Sequence, residues 1–140
     1  IRKLQMAKTK NAAVVLTNKN YLAEAKTRNH FLTIDEPVAS GGDDNGPTPV
    51  EYLLTAVGGC VSITLRMYAE RKGWDVGKIT VNVSQKEELT KAGIKKSLVE
   101  EISFENEITE DQKTKLLEIA GKCPVAKMIK GETEIVSSIQ

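Results

Sequence analysis

Apolar and polar positions run in short strand-length patches over the first part of the chain and then change period. Residues 12–16, 20–25 and 29–34 read as three strands. Thr17-Asn18-Lys19-Asn20 has loop composition between the first two, and Pro37 after Asp35-Glu36 ends the third. Residues 40–47 hold four glycine or proline positions and read as a loop. From Thr48 the pattern turns helical. Thr48 is an N-cap with Pro49 at the first helical position, and Glu51, three residues on, completes a capping box. Leu53, Leu54, Val57, Val61, Ile63, Leu65, Met67 and Tyr68 wrap most of this helix, which predicts a buried central helix ending near Lys72, with Gly73 as its stop.

Residues 79–84 then alternate like a half-buried strand, with 98–105 as its neighbour. The charged stretch 87–96, which contains Gly93, reads as a long hairpin loop. A second capping box, Thr109 to Gln112, opens a helix with Leu116, Leu117, Ile119 and Ala120 on its apolar side and Gly121 at its end. Cys123-Pro124 starts a short helix through Lys130, and 132–136 reads as a last strand. The order β-β-β-α-β-β-α-α-β predicts an α+β fold with antiparallel sheets, one domain over residues 1–140.

Composition narrows the classes. Apolar residues make up 40% and charged residues 28%, ordinary for a globular domain. A net charge of +1 gives no electrostatic reason to bind nucleic acid or an anionic membrane. No stretch approaches the eighteen consecutive apolar residues of a membrane span, and no signal-peptide core opens the chain. Met6-Ala7-Lys8 reads as a native start, so that residues 1–10 are expected to be a flexible or added lead. Two cysteines without a C-x-x-C are not a disulfide scaffold, which points to a reducing cytoplasm and no cofactor.

The chemistry centres on those cysteines. Cys60 follows Gly58-Gly59 inside the long helix, where each glycine costs about 1 kcal/mol against alanine. Close packing of another backbone would account for them, and so would room for a ligand beside the sulfur. The plainer reading of Cys60 is a small core hydrophobe. Cys123 precedes a proline at a helix start, where N–H groups and the dipole favour thiolate, with Lys122 and Lys127 nearby. Alternatively, its thiol merely caps the turn. The two stand 63 residues apart, and spacing alone does not bring them together. If they meet, one sulfur can attack a peroxide and become a sulfenic acid, and the other can condense with it to a disulfide. Cys60 in mid-helix would need a cation such as Arg28 or Arg66 to hold a thiolate. His30, the single histidine, could join the cysteines as a metal ligand, but no spacing supports a metal site. Asp43-Asp44-Asn45-Gly46 matches only a fragment of a calcium-binding loop.

Several runs together resemble the OsmC/Ohr family. They are Asp35-Glu36-Pro37, Gly41-Gly42, Gly46-Pro47-Thr48-Pro49-Val50-Glu51-Tyr52-Leu53-Leu54, Gly58-Gly59-Cys60, the segment Thr64 to Trp74, and Cys123-Pro124-Val125. The resemblance covers roughly residues 30 to 136. It implies an OsmC-like α+β fold, antiparallel sheets around a long buried helix, and an intertwined homodimer with active sites at the interface. It implies reduction of organic hydroperoxides and, less well, hydrogen peroxide. Cys60 is then the attacking sulfur and Cys123 the resolving one, with a dithiol or lipoyl protein as reductant. An arginine and a glutamate hold the thiolate in the family, roles that fall to Arg28 and Glu51 here. In the well-studied branches that glutamate follows a proline directly, ten residues before the cysteine. Here Val50 has that place and Glu51 stands nine before Cys60, which marks a divergent branch. Two other functions stay open: a non-catalytic relative that binds a small apolar or thiol-reactive ligand at the dimer interface, and a metal site on the cysteines and His30.

Overall fold

The computed structural model describes residues 10–131 and 133–140. The chain packs as two compact units, one ending at Tyr52 and the other beginning at Leu53.

The first unit is a three-stranded antiparallel sheet in chain order: β1 (Ala13–Leu16), β2 (Ala23–Thr27) and β3 (His30–Ile34). Ala25 pairs with Val14 on one side and Leu32 on the other. β2 begins at Ala23 rather than at residue 20. The loop before it closes on itself: the Thr17 N–H donates to the Leu22 carbonyl at 2.9 Å and the Thr17 hydroxyl donates to the same oxygen. Asn20 there takes a left-handed φ of 54°, which a strand cannot hold. Arg28 and Asn29 form the tight turn between β2 and β3, with Arg28 at φ 52°.

The loop after β3 is organised by Asp35, which is 1% exposed. Its carboxylate accepts the Glu36 N–H at 2.8 Å and the Asn45 N–H at 3.0 Å, so one buried charge fastens both ends of a ten-residue stretch. Gly46 passes directly over β3, where a Cβ would collide with the Thr33 carbonyl. Gly46→Ala should therefore destabilise the protein by about 2 kcal/mol or more, read as a lower urea midpoint with an unchanged slope.

α1 (Pro49–Lys72) opens with the expected box: the Glu51 carboxylate accepts the Thr48 N–H at 2.8 Å, and the Thr48 hydroxyl accepts the Glu51 N–H at 3.2 Å. It ends as expected. Gly73 takes φ 71° and donates to the Glu70 carbonyl, Trp74 donates to Ala69, and the Trp74 ring meets Tyr68 edge-on at 5.7 Å. By length and composition alone α1 could cross a bilayer. Its residues Val57, Val61, Leu65, Tyr68 and Ala69 instead form the buried stripe of a folded core. The burial expected all round the helix is confined to that stripe. Ile63 and Met67, on the other side, remain 57% and 61% exposed.

The second unit builds its core on that stripe. β4 (Ile79–Thr90) and β5 (Gly93–Phe104) pair antiparallel, and Ile79, Val81, Val83, Leu98, Ile102 and Phe104 pack on the cluster. The stretch expected as a long loop is strand on both sides of a two-residue turn, Lys91-Ala92. Register explains it: Glu87 faces Lys96 and Glu88 faces Lys95, so the charges read as loop are cross-strand partners of opposite sign. α2 (Glu110–Ala120) starts on the Thr109/Gln112 box and buries Leu116 and Ala120. α3 (Pro124–Lys130) follows. Residues 133–136 form no strand, since they have no ladder partner among the described residues, and Ile135 and Val136 stay exposed. Glu132, the first residue of that expected strand, and residues 1–9 of the expected lead lie outside the described residues.

Candidate functional site

Both cysteines belong to the second unit, and the fold brings them together. Cys123 is a core member with no exposed surface, and Cys60 packs against the same cluster while staying partly open. The sulfurs are near enough for Cys60 to act on Cys123 by hydrogen bonding and by charge.

Cys60 reaches this position through helix packing. A Cβ on Gly58 would lie 3.3 Å from a Val83 methyl and 3.6 Å from the Val81 carbonyl, so Gly58 permits the close seat of α1 on β4. Of the two accounts of the glycine pair, backbone packing holds for Gly58, whereas a Cβ on Gly59 would meet nothing within 4 Å.

Cys123 is the N-cap of α3, and its sulfur accepts the Ala126 N–H at 3.3 Å. The cap is the one expected, but its consequence is reversed. Burial pushes the Cys123 thiol up, because the desolvation outweighs the single N–H that favours thiolate. The neighbouring Cys60 pushes the same way, by hydrogen bond and by charge, and so does the charge of Glu100. A three-turn helix dipole would also have helped more than this seven-residue helix can. The folded protein thus binds this proton more tightly than the unfolded chain does. Its contribution to stability is complete below the ordinary thiol value of 9.0 and is lost as pH rises above it through the raised folded value. Denaturant titrations should show wild type losing stability above pH 9.0 more steeply than Cys123→Ser.

Glu100 is the residue that sequence reasoning missed. Leu98, Ile102 and Phe104 share one face of β5 against the core, and the two-residue period puts Glu100 in the same row, opposite Val83. The signal was present as a carboxylate interrupting an apolar alternation. A groove of about 570 Å³ runs beside it, walled by Leu53, Val57, Leu98, Glu100, Ala126 and Ile129. A larger cleft of about 890 Å³, between the end of β5 and α2, contains neither cysteine.

Arg28 is exposed at the β2–β3 turn and belongs to the first unit, as does Glu51. α1 is unbroken through Gly58-Gly59, so nine residues of helix turn Glu51 to the face opposite Cys60. The Arg66 guanidinium donates to the Gly77 carbonyl and closes the turn after α1. His30 opens β3 in the first unit, and no cluster of three ligating side chains occurs among the described residues.

Two adjacent thiols, one partly open on a helix and one buried at a helix cap, thus occur in a chain of helices and antiparallel sheets. Residues 41–138 match the family model described as OsmC-like protein, and the chain belongs to that family. Among solved structures it is similar to an osmotic stress induced and detoxification response protein of Psychrobacter arcticus, with 20% identity, 89% of this chain and 90% of that one covered, and a TM-score of 0.72. An OsmC like protein of Mycoplasma pneumoniae is 22% identical over 90% of each chain, at a TM-score of 0.69. An organic hydroperoxide resistance protein of Legionella pneumophila is 16% identical over 91% and 93%, at 0.68. No curated protein matches the sequence.

Proposed function

We propose that this protein is a two-cysteine thiol peroxidase that reduces organic hydroperoxides. The observation that carries the reading is the pair itself: a partly open Cys60 beside a fully buried Cys123 whose proton is held tightly. The Cys60 thiolate attacks the terminal peroxide oxygen. An S–O bond forms as the O–O bond breaks, and the alkoxide leaves and takes a proton from water. Cys123 then attacks the sulfenic sulfur. The S–S bond forms, the S–O bond breaks, and the Cys123 proton leaves with the hydroxide as water. A dithiol, such as a lipoyl protein, returns both sulfurs to thiols by exchange. In this reading the organic hydroperoxide is the preferred substrate and hydrogen peroxide a poorer one.

The same reading makes the working unit a cytoplasmic homodimer. Exposed Val15, Phe31, Ile63 and Met67 are the kind of apolar surface that a second copy covers. Arg28 supplies the cation beside the Cys60 thiolate and Glu51 orients it, brought there by assembly. The capping-box engagement of Glu51 favours a second reading, in which a small apolar or thiol-reactive ligand binds without turnover. Consumption of cumene hydroperoxide with a dithiol reductant separates the two: turnover that depends on both cysteines supports the peroxidase, and an inert, folded, reduced protein supports the binder.

A further inference from the structure

We propose that the free edge of β4 over residues 79–83 is a strand-accepting surface, and that its occupant is the segment 133–139 of a second copy of this chain. The inference rests on the homodimer of the preceding reading and names a contact that closes it. It does not depend on turnover by the cysteines.

β4 and β5 form a sheet of two strands, so each has one unpaired edge. The register fixes which groups that edge offers. The Glu105 N–H donates to the Lys78 carbonyl at 2.9 Å, one step beyond the pair of Ile79 with Phe104. Alternate residues from there, Thr80 and Asn82, bond to β5, which turns the N–H and C=O groups of Ile79, Val81 and Val83 to the free side. Sheet edges are ordinarily blunted by charge, proline or a bulge. The outer half of β4 is protected in this way by Lys86, Glu87 and Glu88. Residues 79–83, Ile-Thr-Val-Asn-Val, carry no such device and are mostly β-branched, a composition that pairs readily.

Space lies along this edge. A hollow of about 480 Å³ is bounded by residues 79–83 of β4 and by Gly58, Gly59 and Ser62 of α1. The close seat of α1 on β4 accounts for Gly58 but leaves Gly59 unexplained, since a Cβ there would meet nothing within 4 Å while a glycine weakens the helix. A strand laid against β4 brings another backbone to that position, and glycine admits it.

A segment of the chain fits the edge. Residues 133–139, Thr-Glu-Ile-Val-Ser-Ser-Ile, are rich in β-branched residues and hold no glycine or proline. They have no ladder partner among the described residues, and Ile135, Val136 and Ile139 stand exposed, the last completely. The Thr133 hydroxyl donates to the Met128 carbonyl at 3.1 Å, so the segment departs from the end of α3, and in the single chain it leaves the β4 edge open. The donor is therefore another copy. The exchange is reciprocal: each copy gives one strand and accepts one, so it closes on a two-fold axis with no edge left to propagate.

Two variants test the exchange. Gly59→Leu fills the hollow at a position where a Cβ meets nothing in the single chain, so the fold is kept. Ile135→Pro together with Val136→Pro removes two successive N–H groups from a segment that makes no ladder bond in the single chain. Each should raise the dimer dissociation constant about tenfold or more in sedimentation, without lowering the melting point of the dissociated chain. Amide exchange at Ile79, Val81 and Val83 should be slow in the wild-type dimer and fast in both variants. When the two variants are mixed, with the proline chain isotope-labelled, slow exchange should return on the labelled chain, because the intact segment of one copy meets the intact edge of the other. No recovery on mixing places the segment on its own chain's edge and overturns the exchange. A dimer whose edge amides exchange freely, or that neither variant weakens, overturns the contact and leaves the homodimer standing. A chain that stays monomeric at every concentration removes the homodimer, and the contact with it.

Discussion

Cys60→Ser should abolish hydroperoxide consumption, a loss of at least about a thousandfold, since removing a catalytic nucleophile usually has effects of that order or larger. A serine hydroxyl does not ionise near neutral pH and does not form the oxygen adduct that a thiolate does. Cys123→Ser should behave differently. The first equivalent of peroxide is consumed normally, because Cys60 is intact. Recycling by a dithiol then slows, because the sulfenic acid has lost the sulfur beside it. With excess peroxide the stalled Cys60 proceeds to sulfinic acid, seen as added oxygens by mass spectrometry. Rapid-mixing kinetics with cumene hydroperoxide check both: a burst without turnover in Cys123→Ser and no burst in Cys60→Ser. Equal activity in Cys60→Ser and wild type would remove the peroxidase reading, whatever the fold.

Leu65→Ala should be the most destabilising single truncation of the second unit. Leu65 has no exposed surface and sits at the centre of the stripe that α1 buries, between Val61 and Ala69. Losing its methyl groups leaves a cavity that close-packed neighbours cannot fill, at a cost of about 2–5 kcal/mol. For a chain of this size that corresponds to a fall in Tm on the order of 10 °C. Ile63→Ala, two residues away on the face that is open in the single chain, is the contrast. Within one chain it should cost under about 1 kcal/mol. If a second copy covers that face, the loss appears as weaker association, so melting at several concentrations and sedimentation separate the two effects. A concentration-independent loss in Ile63→Ala as large as that of Leu65→Ala would contradict the one-sided burial of α1.

Local chemistry explains which features could be read ahead of the structure. The ends of α1, the boxes at Thr48 and Thr109, and the cap at Cys123 all depend on contacts between residues a few positions apart, and all occur as expected. The hairpin arm is not legible in the sequence, because a run of charge has loop composition, whereas the register that pairs Glu87 with Lys96 needs two segments at once. The expected last strand failed for the related reason that a strand exists only with a partner edge.

By itself the sequence determined the family, the α+β class and the helix ends. Those follow from motif identity and from short-range hydrogen bonding and periodicity. Only the tertiary structure decided that Cys60 and Cys123, 63 residues apart, are neighbours, and that burial raises the Cys123 thiol. Along the chain, Cys123 has one capping N–H and a helix dipole to favour its thiolate. Packing of α1, β5 and α2 around that sulfur took its water away, and desolvation outweighs a single hydrogen bond.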